Sequence, residues 1–295
     1  MKRAAIIYNE HAGQANDHLS IEQIKAQIES HSFQLKLCPT SKPGDGERIA
    51  KEVGKDVDTL FIFGGDGTVH ECINGVPSLQ SRPNLAVLPG GTCNDFARTL
   101  GISMNLEEAI DQVCTGTTKT VDVPKMNDRY FLNFFAVGLI ADTSENINEE
   151  LKATIGRLSY FWSALQTVTN PTHYTYTLTS DDLHLTGEAV MILVSNGNYI
   201  GSIGLPAQHE LDDGYLNVYI VKEGGLSLVS AWKEAKLNDQ FDENENNLIH
   251  HQLKHLTLHV EPEGNVDIDG EDGGKTPVTI TLGDKVTFCI PSESQ

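Results

Sequence analysis

Residues 59–71 read TLFIFGGDGTVHE, and the rest of the chain is organised around them. Leu60, Phe61, Ile62 and Phe63 form an unbroken apolar run. A run without polar alternation predicts a strand buried on both faces, as in a parallel sheet covered by helices. Gly64 and Gly65 end the run, Asp66 brings a charge, and Gly67 and Thr68 lead into a helix start at Val69-His70-Glu71. A strand that runs into glycines and then a helix has the geometry of a phosphate site. Glycine lets backbone approach a ligand, and the N–H groups of a first helical turn face an anion. Asp66 adds a carboxylate of the kind that sits close to Mg²⁺ in phosphate chemistry. The competing explanation is an ordinary strand-to-helix turn in which glycine serves a positive φ.

A second stretch repeats the arrangement. Leu85-Ala86-Val87-Leu88 is another buried-strand run, followed by PGGTCNDFAR at 89–98. Gly90 and Gly91 supply the flexible turn, Thr92 a hydroxyl, and Asn94 or Asp95 a helix cap.

Together, GGDGTVHE and PGGTCNDFAR resemble the diacylglycerol kinase catalytic domain family, which includes bacterial lipid kinases and the sphingosine and ceramide kinases. The small soluble bacterial lipid kinases look most similar, and further landmarks appear in order along the whole chain. The resemblance implies an α/β nucleotide domain with a doubly wound parallel sheet. A β-rich, mostly antiparallel, sandwich-like second domain follows, with the active site between the two. It implies ATP as phosphoryl donor and Mg²⁺ as cofactor. Nucleotide contacts carry over to Asn9 and Gly13 in the first loop, Thr40 after the second strand, Gly64, Gly65, Asp66, Gly67, Thr68 and Glu71 in the first glycine stretch, and Gly90, Gly91, Thr92, Asn94 and Asp95 in the second.

The resemblance also assigns groups in the second half. The family's Asp-Gly-Glu motif falls on Asp269-Gly270-Glu271, and its glutamate is taken as the general base. Read by itself, this stretch is an acidic β-turn at the end of an alternating strand. The acidic loop Glu210-Leu211-Asp212-Asp213-Gly214-Tyr215 resembles one that holds a structural Mg²⁺ in bacterial members. Asp213 would give its side chain, and Glu210 and Tyr215 their carbonyls. The bland alternative is an exposed Asp-Gly hairpin turn.

Three places depart from the family pattern. The first loop, Asn9-Glu10-His11-Ala12-Gly13-Gln14, lacks the usual proline, carries a glutamate, and has no Lys or Arg close behind it. Arg98 or Arg48 would have to neutralise phosphate instead. Gly138-Leu139-Ile140 stands where Gly-x-Gly is usual, and Ser202-Ile203 replaces glycines.

At 295 residues the chain suits two domains, predicted over 1–122 and 123–295, with the last residues able to return to the first. The early alternation of strands with helices predicts the parallel sheet. It runs from a strand at Ala4 to Tyr8, through a Ser20-capped helix carrying Ile21, Ile24 and Ile28 and a strand at Phe33 to Leu37, to a helix from Arg48 to Val53. Strands are expected from Tyr174 onward at 174–179, 189–195, 215–221, 256–260, 278–282 and 286–290. Ile147, Leu151, Ile155, Leu158, Trp162 and Leu165 keep helical spacing. Asp239 to Glu245 reads as a solvated acidic run. His251, His255 and His259 would share one face of a helix, but Leu256, Leu258 and Val260 alternate as in a strand, which favours surface histidines over a zinc site.

A formal net charge of −20 argues against a nucleic-acid partner. It also opposes an anionic bilayer, so a lipid substrate at a membrane surface implies transient docking through a local patch. No apolar run reaches the ~18–20 residues of a membrane helix. Five scattered cysteines without a CxxC argue against a disulfide framework. The expectation is a cytoplasmic protein, peripheral at the membrane when it acts, with room for a homodimer. The expected reaction is transfer of the γ-phosphoryl of ATP to a lipid hydroxyl, diacylglycerol-like by default. Its rivals are a kinase of a soluble acceptor such as NAD, and a non-catalytic nucleotide sensor.

Overall fold

A computed structural model describes residues 1–9, 19–139, 141, 171–181, 183–208, 210–238 and 247–292. The chain divides into two compact units. One holds residues 1–123 and 284–295, the other 124–283.

The first unit alternates strand and helix. Its elements are β1 (Lys2–Asn9), α1 (Ile21–Ser30), β2 (Phe33–Thr40), α2 (Asp45–Val53), β3 (Thr59–Gly64), α3 (Asp66–Gly75), β4 (Asn84–Pro89), α4 (Asp95–Thr99), α5 (Leu106–Thr115) and β5 (Thr117–Met126). β2, β1, β3 and β4 lie side by side in that order, all parallel. All six residues of β3 are buried, which is why its sequence shows no polar alternation. Ser20 caps α1 through a reciprocal bond with Gln23, and Ile24 and Ile28 face the core. The helix expected from Arg48 begins three residues earlier, at Asp45, because carboxylate contacts described below order the preceding turn.

The strand order matters for ligand placement. From β1 the chain crosses to β2 on one side, and from β2 it passes to β3 on the other. The order in which the chain builds the sheet therefore reverses between β1 and β3, and the crevice beyond their carboxyl ends is where open α/β sheets bind ligands.

The second unit is antiparallel. β6 (Arg129–Tyr130) and β7 (Phe134–Gly138) precede β8 (Tyr174–Ser180), β9 (Leu183–Ala189) and β10 (Met191–Ser195). A small ribbon follows from β11 (Tyr199–Ile200) and β12 (Ile203–Gly204). Then come β13 (Leu216–Val221), α6 (Leu226–Asn238), β14 (Leu248–Leu253), β15 (His255–Glu261), β16 (Asn265–Ile268), β17 (Glu271–Lys275) and β18 (Val278–Ile290), whose residues from Asp284 onward belong to the first unit. One sheet runs β14-β13-β10-β7-β16-β17. The other pairs the start of β18 with β15, β15 with β8, and β8 with β9.

Phe135, Val137, Ile192, Val194, Val218 and Ile220 of the first sheet share one core with Tyr176, Leu178, Leu256, Leu258, Val260 and Ile280 of the second, so the unit is a sandwich. β15 alternates buried and exposed, showing one face to solvent. β13 is buried throughout. Its Tyr219 ring lies 5.9 Å from Trp232 of α6 and 4.9 Å from His250.

One expectation changes here. The strands read at 278–282 and 286–290 are one continuous strand, because Gly283 does not take the left-handed backbone a turn would need. The histidine-rich stretch forms β14 and β15, as the alternation of Leu256, Leu258 and Val260 indicated, and not a helix with a shared histidine face. Within that stretch, His250 Nε2 sits 2.7 Å from Asn217 Oδ1. The expected helix at 147–165 and the acidic run at 239–245 lie outside the described residues.

Candidate functional site

The two glycine stretches lie against each other at the carboxyl ends of β3 and β4. Gly90 donates its N–H to the Gly64 carbonyl at 3.0 Å. A Cβ on Gly91 would stand 2.4 Å from the Gly65 Cα, and one on Gly90 would stand 2.8 Å from the Phe63 ring. None of Gly64, Gly65, Gly67, Gly90 and Gly91 has a positive φ, and Gly65 sits at −86°. Left-handed backbone therefore does not explain these glycines. Gly65, Gly90 and Gly91 are small because one loop's backbone approaches the other's, and a Cβ on Gly64 would meet the Thr68 side chain of its own loop at 2.5 Å.

Two side chains finish this double loop. Asn94, itself at φ 52°, accepts the Gly91 N–H at 2.8 Å and donates to the Gly91 carbonyl at 2.9 Å. Asp66 Oδ1 accepts the Phe96 N–H at 3.2 Å, so the first loop's carboxylate caps the helix that follows the second. Asp95 is wholly buried and Cys93 nearly so, whereas Gly91 and Thr92 are exposed and Thr68 is half-buried.

Beside the first loop lies a cavity of about 310 Å³, lined by Asn9, Thr40, Ser41, Lys42, Pro43, Gly67, Thr68 and Glu71. Asn9 and Thr40 are register partners at the ends of β1 and β2, and the Thr40 hydroxyl donates to the Tyr8 carbonyl at 3.3 Å. Gly67 and Thr68 belong to the first turn of α3. The cavity thus sits beyond the carboxyl ends of the parallel strands, with the first turn of α3 on one wall. Gly13 lies outside the described residues.

Glu71 has a structural task. Its two carboxylate oxygens accept the N–H groups of Gly44 and Gly46, both at 2.8 Å, and so hold the start of α2. Asp45, buried at the first position of α2, holds the turn before it. Asp45 Oδ2 accepts the Ser41 N–H at 3.0 Å, the Ser41 hydroxyl at 3.1 Å and the Lys42 N–H at 3.2 Å, and Oδ1 takes Arg48 at 2.8 Å. The Arg48 guanidinium first, then these N–H groups, hold the Asp45 carboxyl well below the usual carboxylate range.

Sequence reading missed Asp45 and Lys42, which lie between the strand it ended at Leu37 and the helix it began at Arg48. The detectable signal was Ser41 four residues ahead of an aspartate at a helix start. Of the cations it nominated, Arg48 is bonded to Asp45 and Glu52, and Arg98 gives its Nε to the Cys93 carbonyl.

In the second unit the Asp-Gly-Glu stretch joins β16 to β17. Asp269 is buried, at φ 53°, and its carboxylate accepts three backbone N–H groups. These are Leu132 at 2.8 Å, Asn133 at 2.9 Å and Phe134 at 2.9 Å. Asp267 accepts the Gly270 N–H at 2.7 Å. The same 132–134 segment receives Asn196 and Gly197, whose N–H groups both reach the Asn133 carbonyl at 3.0 Å. Two aspartates build the turn, then, and Glu271, the first residue of β17, stands exposed at its end.

The acidic loop at 210–215 is exposed at Glu210, Asp213 and Tyr215. Asp213 Oδ1 accepts the Tyr215 N–H at 2.8 Å and closes a turn through Gly214 at φ +79°. The second Asp213 oxygen and the carbonyls of Glu210 and Tyr215 are all hard oxygen donors, which suits Mg²⁺ in kind. Among the described residues no group of three or more His, Cys, Asp or Glu is placed to hold a metal. Mg²⁺ in phosphate chemistry is commonly held by one or two carboxylates plus substrate phosphates and water, so Asp66 without a cage fits that ion as well. No helix of the described residues is long and apolar enough to cross a membrane.

Comparison with known proteins follows the same division of the chain. Residues 3–126 match the diacylglycerol kinase catalytic domain, and residues 134–290 match the "YegS C-terminal NAD kinase beta sandwich-like domain". A Staphylococcus aureus (strain Mu3) protein named "Putative lipid kinase" is 37% identical over 283 residues, covering 94% of this chain and 93% of its own. A crystal structure described as a diacylglycerol kinase from Bacillus anthracis superposes with a TM-score of 0.83 at 35% identity, over 98% of this chain and 97% of that one. Matched over nearly its whole length in sequence and in fold, the chain belongs to the diacylglycerol kinase catalytic domain family of kinases.

Proposed function

We propose that this protein transfers the γ-phosphoryl group of ATP to the hydroxyl of a lipid, diacylglycerol-like by default, with Mg²⁺ bound to the nucleotide. The observation that carries this reading is the cavity beyond the parallel strands, lined in part by the first of the two paired glycine loops, in a chain of a lipid-kinase-containing family. The Thr68 and Thr92 hydroxyls at the starts of the two glycine-loop helices would hold phosphate oxygens. Asp66 would orient the nucleotide's metal, which when bound offsets the charge of the transferring group. Glu271 would take the proton of the acceptor hydroxyl as its oxygen attacks the γ-phosphorus and the bond to ADP breaks. Asp213, with the carbonyls of Glu210 and Tyr215, would hold a structural ion away from the chemistry. Action at a membrane surface by a cytoplasmic protein, docked transiently, completes the reading.

The test is phosphorylation of a total lipid extract with labelled ATP, with NAD⁺ and sphingoid bases in parallel, and identification of the product by mass. Labelled phosphatidic acid is the expected product. Labelled NADP⁺ would instead support a soluble acceptor, a reading favoured by the NAD-kinase-like sandwich and the net charge of −20. In Glu271→Gln, turnover should fall about 10²–10⁴-fold, the usual worth of a general base, while nucleotide affinity stays within a few-fold. Unchanged turnover would remove Glu271 from that role.

A further inference from the structure

A polyphosphate needs a cation, and the first loop offers none close behind it in sequence. Arg48 is committed to Asp45 and Glu52, and Arg98 bonds the Cys93 carbonyl. Of the residues lining the cavity, Lys42 is the one with a cationic side chain, and Glu71 the one with an anionic side chain. Both Glu71 oxygens already carry backbone N–H groups, of Gly44 and Gly46, which offsets their charge within the wall.

Lys42 is also held in a specific way. Its own N–H and the N–H and hydroxyl of Ser41 all converge on Asp45 Oδ2, and Asp45 is anchored in turn by Arg48. The backbone beneath the ammonium is fixed while the side chain remains exposed. Among the described residues that ammonium has no hydrogen-bond or ion-pair partner. A flexible stem on a clamped turn, lining the same cavity as the Thr68 hydroxyl and the first turn of α3, offers an anion both a charge and a hydroxyl donor.

We infer that Lys42 is the phosphate-binding cation of this chain, presented by the Asp45-clamped turn and directed at the polyphosphate of the nucleotide. It takes the place of a base in the first loop. The inference rests on the reading of the cavity as a nucleotide site. It adds a residue and a charge preference: the site discriminates by phosphate number, favouring nucleoside di- and triphosphates over monophosphates.

The test uses the full chain and isothermal titration with MgATP, MgADP and AMP, on wild type, Lys42→Ala and Lys42→Arg. Removing one charge-assisted contact to phosphate should weaken MgATP and MgADP binding by ~10-fold or more. AMP affinity should stay within twofold, and Lys42→Arg should retain most of the MgATP affinity. Because Lys42 is exposed, the thermal midpoint should not move. MgATP affinity within twofold of wild type in Lys42→Ala overturns the inference and leaves the functional reading standing. An equal loss for AMP also overturns it, by showing a misshapen cavity and not a lost charge. A wild-type protein that binds none of the three nucleotides overturns the functional reading, and the inference with it.

Discussion

The paired glycine loops of the first unit and the Asp-Gly-Glu turn of the second solve the same problem with opposite chemistry. Each must hold an irregular backbone rigid so that a few groups stay exposed. The loops do it by omission: Gly91 and Gly65 lack the Cβ atoms that would keep the two backbones apart. The turn does it by charge, with the Asp269 carboxylate gathering the N–H groups of residues 132–134. In both places most of the motif builds the site. Asn94, Asp95, Asp267 and Asp269 face inward or bond backbone, whereas Thr68, Thr92 and Glu271 keep access to solvent.

The charge-built turn should be the more fragile. Asp269→Ala strands three buried N–H groups, each costing about 1–3 kcal/mol without an acceptor, so stability should drop by ~3 kcal/mol or more. Asp269→Asn keeps an acceptor oxygen and the tolerance of asparagine for the left-handed backbone, and should lose markedly less. Urea unfolding of the two variants measures the difference. Equal losses would shift the explanation from the carboxylate to something both substitutions share.

Gly91→Ala should cost less, about 1–3 kcal/mol, the usual penalty of an added methyl in a packed place. Its Cβ would stand 2.4 Å from backbone and cannot be relieved by a rotamer. Gly65→Ala places its Cβ at 3.2 Å from the Gly91 Cα and should be milder. Thermal midpoints of both variants check the order. A neutral Gly91→Ala would mean that the loops are free to part, and that their glycines serve a ligand instead.

How much of this was legible in the sequence follows from the range of each interaction. β3 could be read because burial on both faces writes an unbroken apolar run, and α1 because its cap lies beside it. The fold class followed from such local signals and from the two motifs. The reason for the glycines was not legible, since Gly91 meets Gly65 only after β3 and β4 pair. Glu71 reaches residues 25 and 27 positions away, and Asp269 reaches more than 130. Carboxylates that accept backbone N–H groups across such separations leave no spacing to detect, and their acidic residues look the same as ligands for a metal.

The clamp on the cavity turn extends the comparison to acid. Asp45 combines both devices: it builds backbone, as Asp269 does, and it is paired to a cation, Arg48. Its folded pKa lies well below that of an unfolded aspartate, which is about 3.9. A carboxyl depressed on folding adds stability above the unfolded pKa, and that contribution disappears as pH falls from about 4 toward the folded pKa. Wild type should therefore lose stability over that window, and Asp45→Asn, less stable at pH 7, should lose less. The two curves should begin to converge below about pH 4 and meet only below the folded pKa, where both folded chains carry a neutral group at position 45. The effect should be the smallest of the three, because Arg48 is half in solvent and screened. Urea midpoints from pH 7 to pH 3 measure it, and adding MgATP to the same series reports whether the turn beneath Lys42 loosens with the clamp. Curves that stay parallel across the window would show that the Asp45 charge contributes nothing, and that its place at the helix start is one of shape alone.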